Sequence, residues 1–102
     1  MEKKEIKIID DLQTALASLK TKGELKKFLH DLLTEQELLE FARRWRAAQM
    51  LSLKKPYMEI TEETGLSSTT VARVAKWLRS DMGGFRSVLK RGKDVKGKNV
   101  KV

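Results

Sequence analysis

Apolar positions recur along this chain with the period of a helix, and that pattern alone divides it into elements. In the first, from about Lys4 to Leu19, Ile6, Ile9, Leu12, Leu16 and Leu19 fall on one stripe while Lys7, Asp10, Asp11 and Gln13 turn away. The second, Gly23 to about Asp31, carries Leu25, Phe28, Leu29 and Leu32 in the same way. A third begins at Thr34-Glu35-Gln36-Glu37, where Thr34 and Glu37 have the spacing of a reciprocal capping box, and runs to about Leu53, with Pro56 expected to stop it. Its apolar residues (Leu38, Leu39, Phe41, Ala42, Trp45, Ala48, Met50, Leu51) occupy several faces, as in a helix surrounded by others. Its acids come early and Arg43, Arg44 and Arg46 later, which suits the helix dipole.

From Tyr57 to Arg79 the pattern predicts two short helices around a tight turn. Ile60 opens an apolar run that ends at Gly65, a residue able to take a left-handed helix stop; Leu66 plugs the bend and Ser67 can cap the second helix. In that second helix Val71, Val74, Ala75 and Leu78 lie at i, i+3, i+4 and i+7, a core-facing stripe. Ser68, Thr69, Ala72, Arg73, Lys76 and Arg79 face outward, with no acid among them. This spacing resembles the DNA-binding helix-turn-helix of bacterial repressors, with Thr61 standing where alanine is usual and Thr64 where an apolar residue is usual.

After Gly83-Gly84 breaks the pattern, Phe85, Val88 and Leu89 predict a last short helix, and residues 92 to 102 (GKDVKGKNVKV) are too polar to form a core. The expected organisation is all-α, five to six helices in one domain over residues 1–91, with 92–102 a disordered basic tail. No stretch has a strand signal strong enough to predict a sheet.

Charge sharpens the functional reading. The formal net charge is +8 over 102 residues, which fits a polyanionic partner. The tail contributes strongly: Lys90, Arg91, Lys93, Lys96, Lys98 and Lys101 stand against Asp94 alone, an arm suited to sequence-independent attraction to phosphates. There is no cysteine, hence no disulfide framework and no thiolate metal site or nucleophile. His30 is the only histidine and has no spaced partner for a metal, so a structural or solvated role is expected for it. Nothing combines into an acid-base or nucleophilic constellation, so the chain is expected not to be an enzyme and to need no cofactor. No apolar run reaches the roughly 18 residues of a membrane span and the first residues lack a signal-peptide core, so no membrane partner and a cytoplasmic location are expected.

The order of two amphipathic helices, a long capped helix, a helix-turn-helix and a short closing helix resembles the tryptophan repressor family over roughly Leu25 to Arg91. LLTEQELLEFARRWRAAQML is similar to that family's central helix, and GLSSTTVARV to its turn and recognition helix, most like the branch often called YerC/YecD. The resemblance implies an intertwined helical homodimer that presents two recognition helices to successive major grooves of double-stranded DNA, and a sequence-specific transcriptional regulator, in the first instance a repressor at a palindromic operator. The alternative is a basic helical module that binds RNA or an acidic protein without operator specificity. On the first reading the DNA-contacting residues are Ser67, Ser68, Thr69, Thr70, Arg73, Lys76 and Arg79, with Ser68, Thr69 and Thr70 set for base or water-mediated contact, Arg73 for a guanine or a phosphate, and Lys76 and Arg79 for phosphates. In tryptophan-binding members a threonine at the position of Thr34 and arginines at those of Arg44 and Arg73 surround the effector. Here Val74 stands where those members have a glycine that makes room for the indole, and Trp77 where they have a small serine. The expectation is therefore an unknown effector or none, and not free tryptophan.

Overall fold

The computed structural model describes residues 1–96, with side chains described to residue 92. Six helices follow in order: α1 (Lys3–Ala17), α2 (Lys22–Leu32), α3 (Glu35–Ser52), α4 (Tyr57–Thr64), α5 (Ser68–Leu78) and α6 (Gly84–Lys96), with no strand among the described residues. The all-α expectation and all six helices hold. No helix among the described residues is long and apolar enough to cross a membrane. The chain divides into two compact units, Met1–Leu38 and Leu39–Val102.

In the first unit each helix start is satisfied by side chains. The Glu5 carboxylate accepts from the Glu2 amide at 2.9 Å. At α2, Thr21 Oγ1 accepts from the Glu24 amide at 3.1 Å while Glu24 Oε1 accepts from the Lys20 amide at 2.7 Å. The box expected at α3 is present in both directions: the Glu37 amide donates to Thr34 Oγ1 at 3.1 Å and the Thr34 amide to Glu37 Oε1 at 2.9 Å. Such caps are worth about 1 kcal/mol each, enough to define helix ends but not to hold a domain. Burial does not make up the difference, because neither α1 nor α2 contains a buried residue. Ile6 is 54% exposed and Ile9 39%, and Leu12, Leu25 and Leu32 are exposed as well. His30 lies at the surface, its Nδ1 3.2 Å from Asp31 Oδ1.

The second unit contains the core. Ala47, Ala48 and Met50 of α3, Ile60 of α4, Leu66 of the turn, and Val71 and Val74 of α5 form one buried cluster, with Trp45, Leu51, Leu78 and Phe85 packed on it. Two alanines at the contact keep α3 close to its neighbours. Ile60, Val71 and Val74 are fully buried, each stabilising the fold by about 1.5–3 kcal/mol relative to an exposed side chain. Trp45 and Phe85 meet with ring centroids 6.1 Å apart and planes tilted by 40°, which ties α3 to α6. Arg46 Nη2 lies 3.3 Å from Glu63 Oε2 and links α3 to α4.

Two boundaries differ from expectation. Proline does not end α3. The helix stops at Ser52, and Lys54 takes a left-handed conformation (φ 64°), so that the Lys55 amide bonds back to the Met50 carbonyl at 3.1 Å and the Lys54 amide to that of Leu51 at 2.9 Å. Pro56, at φ −70°, is instead the N-cap of α4. The stop escaped the sequence because lysine, unlike glycine, carries a penalty in that conformation and does not signal it. At the other end, α6 continues to Lys96 and takes in residues 92 to 96 of the stretch expected to be a disordered tail; the remainder of that stretch lies outside the described residues.

Candidate nucleic-acid interface

The helix-turn-helix is built from α4, a three-residue bend and α5. Gly65 sits at φ 76° and its amide closes on the Thr61 carbonyl at 2.9 Å, the left-handed stop expected from its position. A Cβ at Gly65 would meet no atom within 4 Å, so backbone conformation and not space is what calls for glycine. Leu66 is buried in the bend. Ser67 then caps α5, its Oγ accepting from the Thr70 amide at 3.1 Å.

Thr64, which stands where such motifs have an apolar residue, is buried and fully used. Its hydroxyl donates to the Ile60 carbonyl at 2.7 Å and accepts from the Leu66 amide at 3.2 Å. The second bond satisfies an amide that the left-handed turn would otherwise leave unpaired inside the bend. Thr61 makes the corresponding local bond, donating to the Met58 carbonyl at 2.9 Å. Both departures from the motif are thus absorbed by backbone hydrogen bonds.

The stripe on α5 faces as its spacing predicts: Val71, Val74 and Ala75 are buried and Leu78 half-buried. Of the residues expected at DNA, Ser67, Ser68, Thr69, Arg73, Lys76 and Arg79 are exposed and Thr70 is half-buried. They are not equally available. Ser67 is occupied by the cap and also donates to Thr70 Oγ1 at 3.1 Å, whereas the hydroxyls of Ser68 and Thr69 have no protein partner among the described residues. Arg73, Lys76 and Arg79 make no ion pair among the described residues, so their charge is presented to solvent.

The residues set against the effector have separate surroundings. Thr34, in the first unit, is the cap acceptor of α3. Arg73 projects from the exposed face of α5. Arg44 is held among aromatics: its Cζ lies 5.6 Å from the centroid of Phe41 and 6.0 Å from that of Trp77, with Nε 3.6 Å from Glu40 Oε2. That Nε is buried and makes no hydrogen bond. Val74 is fully buried and fills its position from within the core. Phe41 was not singled out as a partner of Arg44 from sequence, although its i, i+3 spacing on α3 carried that signal.

Comparison with known proteins gives a consistent result. The chain is 34% identical over 89 residues to the uncharacterised protein YerC of Bacillus subtilis strain 168, covering 87% of this chain and 86% of that one. It is similar in structure to a TrpR-like protein from Eubacterium eligens (TM-score 0.77, 33% identity, 83% of this chain and 88% of that chain). It is equally similar to a candidate Trp repressor from Staphylococcus aureus (TM-score 0.77, 27% identity, 89% and 93%). The Trp repressor protein family model matches residues 7–93. With a helix-turn-helix capped at both ends of its bend, a family model that matches residues 7–93 and a relative 34% identical over 87% of this sequence, the chain belongs to the Trp repressor family.

Proposed function

We propose that this protein is a sequence-specific DNA-binding transcriptional regulator, a repressor that reads a palindromic operator as a homodimer. The observation that carries the reading is α5 itself: one face buried in the core, the other exposed and bearing Ser68, Thr69, Arg73, Lys76 and Arg79 with no acid beside them. A helix fixed along one side and cationic on the other is what a major groove accepts, with its N-terminal residues at base edges and its cations on phosphates. Selection of bound duplexes from a random pool tests this. The expected result is a two-fold symmetric site with half-sites about 34 Å apart, preferred over random duplex by about 10³-fold or more. Equal binding to all duplexes, or preference for RNA, would favour the basic interaction module instead.

Within that reading the side chains of α5 have different jobs. Thr69→Ala is expected to cost about 1–3 kcal/mol on the selected duplex and little on random DNA, while Lys76→Ala weakens both and lowers the salt slope by about one unit. Filter binding or anisotropy across a salt series measures both quantities. Uniform loss for Thr69→Ala would remove that residue from base reading.

The homodimer accounts for the exposed stripes of α1 and α2, which are apolar enough to be covered by a second copy. Tryptophan is not the effector on this reading. Val74 is fully buried where an indole would need space, and the Trp77 ring already lies over the Arg44 guanidinium. A branched side chain at position 74 cannot swing aside cheaply. Millimolar L-tryptophan is therefore expected to leave the melting temperature within about 1 °C of the apo value, since a ligand at 100 times its Kd would add about 2.7 kcal/mol and several degrees. A rise of several degrees with tighter operator binding would restore Thr34, Arg44 and Arg73 as an effector pocket.

A further inference from the structure

The turn between α5 and α6 contains a contact that none of the DNA-facing residues explains. The last carbonyls of a helix have no partner within it, and Leu78, which closes α5, leaves one such group. Ser80, just beyond, leaves another. Arg86, in the first turn of α6, satisfies both: its Nη1 donates to the Leu78 carbonyl at 2.6 Å and to the Ser80 carbonyl at 2.7 Å. These are short, charge-assisted bonds, and they place a guanidinium at the negative end of the α5 dipole.

Gly83 leaves room beside the guanidinium. It lies at φ 67°, and a Cβ on it would come within 2.8 Å of Arg86 Nη2. Arg86 makes no ion pair among the described residues. Its position is thus set by the α5 carbonyls and by the space that glycine leaves. The opposite end of α5 is held by the Ser67 cap, so this 11-residue helix is anchored at its start by a hydroxyl and at its finish by an arginine.

We propose that Arg86 is a positioning residue of the recognition helix: without touching DNA, it fixes the C-terminal turn of α5 and with it the angle at which Lys76 and Arg79 meet the phosphates. The inference rests on the DNA-binding reading above. Phosphate contacts set the register in which base contacts form, so a loosened C-terminal turn should reduce discrimination more than general attraction.

The test compares wild type with Arg86→Ala and Arg86→Lys, on the selected duplex and on random duplex, across a salt series and well below the melting temperature of each variant. Arg86→Ala is expected to weaken binding to the selected duplex about tenfold and to random duplex less than twofold, with an unchanged salt slope. Arg86→Lys, which keeps a cationic donor within reach of the carbonyls, should recover most of the loss. A fall of the slope by about one unit on both duplexes would make Arg86 a direct phosphate contact and overturn the proposal, as would wild-type affinity in Arg86→Ala. Amide exchange separates this from failure of the DNA reading. Should wild type discriminate no duplex, faster exchange at Arg79 and Ser80 in Arg86→Ala would still uphold the anchoring of α5, and unchanged exchange would refute it.

Discussion

Replacing Ile60 with alanine is expected to destabilise the protein by about 2–5 kcal/mol, the largest single loss available on α4. The side chain is fully buried and belongs to the cluster that joins α3, α4 and α5, so its removal leaves a cavity that three helices would have to collapse to fill. Against the 5–15 kcal/mol that typically separates folded from unfolded domains, this is a large fraction. Urea titration at fixed protein concentration, followed by circular dichroism, measures it through the midpoint at unchanged slope. Met58→Ala is the control: two residues away on the same helix but 73% exposed, it should change stability by no more than about 0.5 kcal/mol. A loss below 1 kcal/mol for Ile60→Ala would mean that the helix-turn-helix does not depend on this core.

Leu12→Lys is expected to have the opposite signature, small within a lone chain and large for the assembly. Leu12 is 37% exposed and its helix contains no buried residue, so in a monomer a lysine there would be tolerated. In the proposed dimer the stripe of Ile6, Ile9 and Leu12 is covered by the second copy, and two-fold symmetry places the new charge in the interface twice. A cost of about 3 kcal/mol or more would weaken the dimer at least a hundredfold. Sedimentation of wild type and variant at low micromolar concentration decides: wild type should be a dimer and Leu12→Lys largely a folded monomer. A monomeric, folded wild type that binds DNA would end the dimer reading, and an unaffected dimer in the variant would place the interface elsewhere.

Much of the candidate site was legible because its determinants are local. Gly65 announces a left-handed stop, Thr34 with Glu37 and Ser67 announce caps, and a spacing of three and four assigns Val71, Val74 and Ala75 to the buried side. Each of these depends on residues within about one or two helical turns, which is the range over which backbone geometry is specified by side-chain type. Local reading failed where a residue acts against its type. Lys54 ends α3 in a conformation that glycine would have advertised, and Thr64 is a buried polar group whose two hydrogen bonds depend on the bend already being formed.

Residue order and type were thus enough to specify the helices, the face of α5 that is buried and the sign of the charge on its exposed side. Which residues far apart in the chain meet was settled by packing in three dimensions. The Trp77 indole comes to lie over Arg44, Trp45 against Phe85 and Arg46 beside Glu63; Arg86 reaches back across the turn to the carbonyls of Leu78 and Ser80. The cause is that periodicity specifies a direction from a helix axis but not what stands there. Arginine in particular carries the same pattern whether its guanidinium is solvated, stacked on a ring or bound to a helix end. Only packing distinguishes Arg73, which makes no ion pair among the described residues, from Arg44, whose guanidinium lies against Phe41 and Trp77, and Arg86, whose guanidinium is bound to the carbonyls of Leu78 and Ser80.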